Sequence, residues 1–400
     1  MDEIVRKILE FSDPYLVLKE KVKIEGNKLT YGNFSVTFER PLLISVGKAS
    51  YKMAKFFLER VKPVRSVVVT PKGSNVVLDA EVIESTHPNV SELSVRSARE
   101  IKEALAKENY DLVLFLLSGG ASALMEDPII PLEEFYELNR TLVSSGLSIN
   151  EINVVRKHLS TVKGGNLALL SKAPVVTFIV SDVPGNDLSS IGSGPTAPDP
   201  STVEDAREIL SRIGLEKYSP FLKETPKNLE NVRNFVILDN MQVLKRLSQI
   251  LPNPFILTSE IRGEASSFGE NLASIYNSSM EYSIPFSGRF SLIVGGEPEV
   301  TIRKGERVGK GGRNGEVALS FLKWVRKRGR FKLYAIATDG IDGNSEYAGC
   351  VIDEGLDLGY REINEALANH SSYELLEKYG VTVKTGLTYT NVNNVYLLIS

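Results

Sequence analysis

Two near-continuous apolar runs, Asp111–Leu117 (DLVLFLL) and Pro174–Val180 (PVVTFIV), constrain this chain more than any other feature. A strand with one wet face alternates apolar and polar residues, whereas a strand covered on both faces does not. Such runs belong to a parallel sheet sandwiched between helices. Shorter runs fit the same plan: Pro41–Val46 (PLLISV), Ser66–Thr70 (SVVVT) and Ala80–Glu84. Between them lie stretches with helical spacing at 49–61, 91–107, 131–146, 149–159, 163–172 and 202–213, with Ser91 a fitting N-cap for the second. Strand and helix in alternation predict an α/β fold, with a doubly wound parallel sheet in the first half.

A chain of 400 residues exceeds what one core usually organises, so two domains are expected. The composition changes near Glu224–Val232, which places the domains at 1–230 and 231–400. In the second, strands are expected at 235–238, 255–258, 289–294, 298–303, 331–338 and 395–399, and helices at 240–251, 263–280 and 313–327. This is a second α/β domain of more mixed order. The stretch Val183–Ser201 (VPGNDLSSIGSGPTAPDPS) is too long for a simple connection and reads as a binding loop.

Several strand ends run into small residues: Val46-Gly47-Lys48-Ala49, Ser118-Gly119-Gly120-Ala121-Ser122, and Gly295-Gly296-Glu297 followed by GKGGRNGE at 309–316. Small residues let backbone N–H groups approach an anion, and a following helix N-terminus favours negative charge. In open α/β sheets ligands bind at the carboxyl ends of strands. The polar residues there are Lys48, His87, Ser118, Ser122, Asp182, Asn186, Asp187, Ser193, Glu297, Arg313, Asp339 and Asp342. Cations, hydroxyls and carboxylates without a Ser-His-Asp or Cys-His arrangement are the equipment of phosphoryl transfer. Arg313, flanked by Gly312 and Gly315, suits bidentate recognition of phosphate or carboxylate.

Known phosphate motifs do not fit. Gly47-Lys48 is followed by alanine, which fails the P-loop pattern, and G-x-G-x-x-G fails at Asn314. The protein-kinase signatures are absent. The net charge of −3 argues against a nucleic-acid partner. Cys350, the single cysteine, excludes an internal disulfide and sits in an apolar setting that reads as buried. The basic run at 323–332 reads as the exposed face and end of a helix. No apolar stretch reaches the roughly 18–20 residues of a membrane span, and the N-terminus MDEIVRKILEF reads as an amphipathic helix rather than a signal peptide. No membrane partner is expected, and the cytoplasm is the simplest compartment.

The ordered stretches SVGKAS (45–50), THPN (86–89), LLSGGASAL (116–124), INVVRKHLSTVKGGNLA (152–168), SDVPGNDLSSIGSGPTAPDPST (181–202), GGEPEV (295–300), GKGGRNGEVALS (309–320) and ATDGIDG (337–343) resemble the class II glycerate kinases, the glycerate 2-kinase family. The resemblance spans nearly the whole chain. It implies transfer of the ATP γ-phosphoryl group to the 2-hydroxyl of D-glycerate with Mg²⁺. It also implies a Rossmann-like first domain, a distinct α/β second domain and a site in the cleft between them.

The family's important lysine falls on Lys48 and its important arginine on Arg313, with Asp182 beside them as a catalytic candidate. The nucleotide is expected at Ser118, Gly119, Gly120, Ser122, Lys157, Asn186, Asp187, Ser193 and Gly194. Glycerate is expected at Lys48, Ala49, His87, Glu297 and Arg313, and the metal at Asp182, Asp187 or Asp339. Some family members carry the label hydroxypyruvate reductase, so a nicotinamide-dependent reductase is the rival enzyme, and a nucleotide sensor without turnover is the rival of another class. A homodimer is expected for a cytosolic enzyme of this kind. The chain departs from the family pattern at Ala121, where a third glycine is usual, and at Leu387, Tyr389 and Asn394, which stand for proline, glycine and aspartate.

Overall fold

The computed structural model describes residues 1–326 and 329–400. The chain divides into two compact units. One comprises Pro14–Leu238 with Tyr389–Asn391; the other comprises Met1–Asp13, Asp239–Thr388 and Val392–Ser400. The division therefore falls at Leu238/Asp239 rather than at 230/231. The strand expected at 235–238 to open the second domain is the end of Val232–Leu238, which pairs in parallel with Val175–Val180.

The first unit is built on a parallel sheet. Its order in space is Glu81–Ser85, Arg65–Pro71, Pro41–Val46, Leu112–Ser118, Val175–Val180, Val232–Leu238. All of these neighbours run parallel. The inner strands Pro41–Val46, Leu112–Ser118 and Val175–Val180 are buried along their whole length, which is why they lack alternation. Pro41–Val46 is the first strand of this sheet in the chain, and the winding reverses between it and Leu112–Ser118.

Helices Ser50–Leu58 and Glu92–Lys107 pack on the sheet. Ser91 caps the latter as expected, accepting from Leu93 N while Ser94 Oγ accepts from Ser91 N. Helices Leu132–Ser144, Ile149–His158 and Val203–Arg212 bury a satellite core that includes Phe135, Leu138, Val155 and Leu210. The expected helix at 163–172 contracts to Asn166–Leu169.

A meander of Val22–Glu25, Lys28–Tyr31 and Phe34–Thr37 also belongs to this unit. Sequence reading missed it, because its four-residue strands show little apolar periodicity. Tyr31 joins it to the sheet through Phe178, whose ring also meets Phe57 and Phe235 at centroid distances of 5.7, 5.5 and 5.9 Å.

The second unit holds a mixed sheet in the order Pro254–Ile261, Ser291–Gly296, Asn394–Ile399, Lys332–Ala337, Gly349–Asp353, Thr382–Val383. The first pair is parallel and the others antiparallel. Cys350 lies fully buried in Gly349–Asp353, as its setting implied. No strand forms at 298–303; Glu299 makes an isolated bridge to Glu264. Helices Ala265–Tyr282 and Arg313–Trp324 pack against each other on this sheet. The expected helix end at residue 327 lies outside the described residues, as do positions 327 and 328 of the basic run.

The N-terminal helix Glu3–Phe11 packs on Asn240–Ser248, and Asp2 Oδ2 accepts from Lys332 Nζ at 2.7 Å, which ties the chain start to the mixed sheet. Among the described residues no helix is long and apolar enough to cross a membrane.

Phe178 is fully buried and touches both layers of its unit. Phe178→Ala should destabilise the parallel-sheet unit by about 3–5 kcal/mol, the usual range for deleting a buried aromatic ring. Urea unfolding followed by tyrosine fluorescence or circular dichroism checks this.

Candidate active site

The winding reversal puts the ends of Pro41–Val46 and Leu112–Ser118 side by side with their connections leaving in opposite directions, which opens a crevice at their carboxyl edge. Both chain ends are held together. Lys48 N donates to Gly119 O at 2.9 Å, and Ala49 N donates to Ser118 Oγ at 3.0 Å. Gly47 has φ +128°, and a Cβ there would lie 2.1 Å from Ser118 Oγ, so only glycine allows the two strand ends to close up.

Gly119 and Gly120 then make room for side chains from three other segments. A Cβ on Gly119 would fall 1.9 Å from Asp182 Oδ2; one on Gly120 would lie 3.1 Å from His87 Cδ2 and 3.5 Å from Lys48 Cγ. Lys48, His87 and Asp182 are thereby gathered around one glycine turn. Asp182 Oδ2 also accepts from Asn391 Nδ2 at 2.9 Å. Asn391 lies in the short return segment Tyr389–Asn391, anchored by Tyr389 Oη donating to Ser74 O at 2.9 Å. Sequence reading missed Asn391 as a partner, since nothing in a loop 209 residues away signals the contact.

An open cavity of about 900 Å³ adjoins this turn, lined by His87, Gly119, Gly120, Ser122 and Asp182 on one side. Its opposite wall is one face of the helix Leu132–Ser144, presenting Tyr136, Asn139, Arg140 and Val143, together with Arg156 of the helix Ile149–His158. Asp182 is the single carboxylate in that lining.

The other expected nucleotide residues play different parts. Ser118 is fully buried and ties the strand ends. Lys157 is buried and pairs with Asp199 at 3.1 Å, so it is directed into the protein while its neighbour Arg156 reaches the cavity. Lys163 forms a second buried pair with Glu126. Burial pulls the Lys163 ammonium down, and Glu126 opposes this.

Ser193 Oγ meets Ser122 Oγ at 2.8 Å, and Gly194 O accepts from Gly165 N at 2.6 Å, both bracing the loop from behind. Asn186 sits in the turn Pro184–Asn186 with φ +55°. Asp187 accepts from Ser189 N and Ser189 Oγ at 3.1 and 2.9 Å, closing its own turn. Burial pushes its carboxyl up, but the Ser190 and Ser189 hydrogen bonds outweigh that and hold it below the ordinary value. Ala49 is buried, with its N–H engaged by Ser118.

In the mixed-sheet unit the motif residues cluster at the start of the helix Arg313–Trp324. Asp342 Oδ2 accepts from Asn314 N and Gly315 N at 2.8 and 3.3 Å and from Tyr373 Oη at 2.6 Å. Gly312 and Gly343 allow the two loops to touch. The helix N-terminus expected to attract a substrate anion is thus already capped by a buried carboxylate. Burial pushes the Asp342 carboxyl up to about 6, against the pull of Tyr373 and the two helix amides.

Arg313 leaves the same turn and pairs with Glu297, Nη1 to Oε1 at 2.6 Å. Burial pulls its guanidinium down, but Glu297 more than compensates and the net shift is upward. Lys310 is held by Glu346 and Glu377 at 3.0 and 3.4 Å. Asp339 Oδ1 accepts from Ile341 N at 3.1 Å as a turn former. Asp182 and Asp187 belong to one unit and Asp339 to the other. Among the described residues no three His, Cys, Asp or Glu side chains gather as a metal cluster.

Comparison with known proteins gives this arrangement a lineage. Residues 1–225 match the model described as a domain of unknown function (DUF4147), and residues 290–394 match the MOFRL family. A glycerate 2-kinase of Sulfurisphaera tokodaii is 56% identical, across 100% of this chain and 99% of that one. This chain belongs to the glycerate 2-kinase family.

The crystal structure of a glycerate kinase from Thermotoga maritima superposes with a TM-score of 0.85 at 35% identity, covering 99% of this chain and 97% of that one. A protein of Agrobacterium vitis named a putative hydroxypyruvate reductase is 35% identical over 90% of this chain and 88% of its own length. A glycerate 2-kinase acts on small molecules, and its reaction implies a nucleotide substrate and usually a divalent metal.

Three of the four departures from the family pattern have local explanations, and nothing in the structure explains the exposed Leu387. Ala121 is fully buried behind the glycine turn and starts the helix Ala121–Leu124. Tyr389 adopts φ +55° and its ring meets Tyr51 at 4.9 Å, replacing glycine's freedom with an anchor. Asn394 is buried, donates to Gly296 O at 3.1 Å and accepts from Asn314 Nδ2 at 3.0 Å. An aspartate could not donate the first of these bonds.

The raised Asp342 value makes stability pH-dependent with a definite sign. A folded value near 6, above the ordinary value of 3.8, contributes stability that is fully present below the ordinary value and lost as pH rises through about 6. Asp342→Asn removes this contribution. The melting-temperature difference, wild type minus variant, should fall between pH about 4 and about 7. A difference independent of pH in scanning calorimetry would contradict the buried, elevated carboxyl.

Proposed function

We propose that this protein transfers the γ-phosphoryl group of ATP to the 2-hydroxyl of D-glycerate, giving 2-phosphoglycerate and ADP. The observation that carries this reading is the glycine turn at the winding reversal, where Lys48, His87 and Asp182 surround Gly119 and Gly120 beside an open cavity. Phosphoryl transfer demands positioning and charge neutralisation rather than a protein nucleophile, and this is what such a cluster provides. The 56% identical relative named glycerate 2-kinase supports the choice of acceptor.

In the reaction the glycerate O2–P bond forms as the bond from γ-phosphorus to the β–γ bridging oxygen breaks, the bridging oxygen leaves with ADP, and the hydroxyl proton is released to solvent water. Lys48 neutralises charge on the transferring group, and the turn at 118–122 positions the phosphates. Arg313, with Glu297 fixing its orientation, receives the glycerate carboxylate. His87 lies against the same turn as Lys48 and contacts the acceptor from there.

The donor set suits Mg²⁺ held mainly by phosphates. Asp182 offers one hard carboxylate in the cavity lining, and Mg²⁺ commonly uses one or two such oxygens beside the substrate's own. Asp182 would hold the ion, which when bound neutralises charge on the nucleotide. Asp187 and Asp339 are less suited, because each closes its own turn.

Incubation with MgATP and D-glycerate should give 2-phosphoglycerate by phosphorus NMR; a 3-phosphoglycerate signal would overturn the assigned regiochemistry. Lys48→Ala should fold yet lose about 10²–10³-fold in kcat, the usual effect of removing a group that stabilises transition-state charge, and Arg313→Ala should fold yet lose about as much in kcat/KM for glycerate. Near-normal values in both would sink the reading.

A further inference from the structure

Arg156 is the outstanding group outside the cluster described above. Its guanidinium is half-buried on the far wall of the cavity, on the helix Ile149–His158. Nε donates to Asn139 Oδ1 at 2.6 Å, which fixes the plane of the fork. Among the described residues the two terminal nitrogens have no hydrogen-bond or ion-pair partner. Glu126, the nearest compensating charge, is occupied by Lys163, by Ser160 Oγ at 2.5 Å and by Asp127 N at 2.9 Å. Burial accordingly pulls the Arg156 guanidinium down, with Glu126 opposing. A half-buried cation whose only fixed partner is a neutral amide is costly unless an anion completes it.

The surroundings select the anion. Arg140 projects from the same face of the helix Leu132–Ser144 one residue after Asn139, while Lys163, also in the lining, is spoken for by Glu126, and Asp182 is the lone carboxylate. With Lys163 already neutralised by Glu126, two guanidinium groups face one carboxylate, a balance that suits a polyanion better than a monocarboxylate. On the same helix as Arg140, Tyr136 and Val143 add an aromatic and an apolar surface to the lining, which suits a flat ring. The volume of about 900 Å³ is ample for a nucleotide.

We propose that Arg156, aligned by Asn139, is the phosphate-gripping residue of the nucleotide site, with its two terminal nitrogens donating to one phosphate. Asn139 is a positioning residue acting through that guanidinium. The inference rests on the kinase reading for the identity of the nucleotide, and its deciding test is binding.

Calorimetric titration of MgADP, adenosine and D-glycerate into wild type, Arg156→Ala, Arg156→Lys and Asn139→Ala is decisive. Arg156→Ala should weaken MgADP about 10–100-fold, as expected for loss of a charge-assisted bidentate contact. Adenosine and D-glycerate binding should not change. Arg156→Lys should fall between wild type and alanine, because it keeps the charge and loses the fork. Asn139→Ala should raise KM for ATP more than it lowers kcat.

MgADP affinity within twofold of wild type in Arg156→Ala, or a loss confined to D-glycerate, would overturn the assignment. If Arg156→Ala does not fold, Arg156→Lys and Asn139→Ala decide it by the same readouts, and unchanged MgADP binding in both would overturn it. A wild type that binds MgADP but does not phosphorylate glycerate would remove the kinase reading and leave this inference standing or falling by the variants.

Discussion

The reversal of winding between Pro41–Val46 and Leu112–Ser118 is the constraint on which the active-site half of this molecule depends. Parallel strands require crossover connections, and right-handed crossovers going both ways from a central strand must leave a gap at its carboxyl end. The gap is useful only if the strand ends come close without filling it. Gly47 secures the close approach, through Ala49 N on Ser118 Oγ and Lys48 N on Gly119 O. Gly119 and Gly120 keep the gap open to Asp182, His87 and Lys48. A side chain at any of these positions would separate the strands or displace a functional group.

Around this gap the protein buries charge instead of avoiding it. Lys157–Asp199 and Lys163–Glu126 are almost completely removed from solvent. Buried pairs of this type contribute little net stability over apolar packing, but breaking one costs about 3–5 kcal/mol because a lone charge is left behind. They therefore act as locks. Asp199 also accepts from Thr225 Oγ1 at 3.0 Å and from Ser201 Oγ and N, so one carboxylate ties two segments of irregular backbone to the helix Ile149–His158. Loops without secondary structure gain a defined shape in this way, and Arg156 inherits a fixed place beside Lys157.

The framework was legible in the sequence because its signals are local. Uninterrupted apolar runs mark the inner strands, Ser91 marks a helix start, and glycines after strands mark the turns. What was not legible depends on distant partners. Lys157 and Arg156 are adjacent in a motif, and only the fold shows that helical phase sends one inward to Asp199 and the other to the cavity. Ser118 reads as a ligand hydroxyl in the sequence, yet the register of Leu112–Ser118 against Pro41–Val46 buries it. Asn391 approaches Asp182 because three residues of a late segment return to the parallel-sheet unit. The expected strand at 298–303 shrinks to a single bridge at Glu299, whose N–H donates to Gly263 O and whose carbonyl accepts from Ala265 N at the start of a helix, a pairing with a distant segment that the local sequence does not signal.

The glycine turns also show that similar sequence signals need not mean similar roles. At GKGGRNGE the helix start is genuine, and its amides do bind an anion, but that anion is the side chain of Asp342. With the amides at Asn314 and Gly315 saturated from within, recognition at that turn passes to Arg313, which the cap and Glu297 hold in place. At the turn following Ser118 the helix Ala121–Leu124 is a single turn with a weak dipole, and its N-cap, Gly120, has no side chain with which to cap it. Electrostatic recognition there must come from side chains brought by other segments: Lys48 from the first strand's end and Arg156 from the far wall. In both units the glycine backbone makes the space, and the charge is delivered by residues whose own positions are fixed by a neighbouring carboxylate or amide.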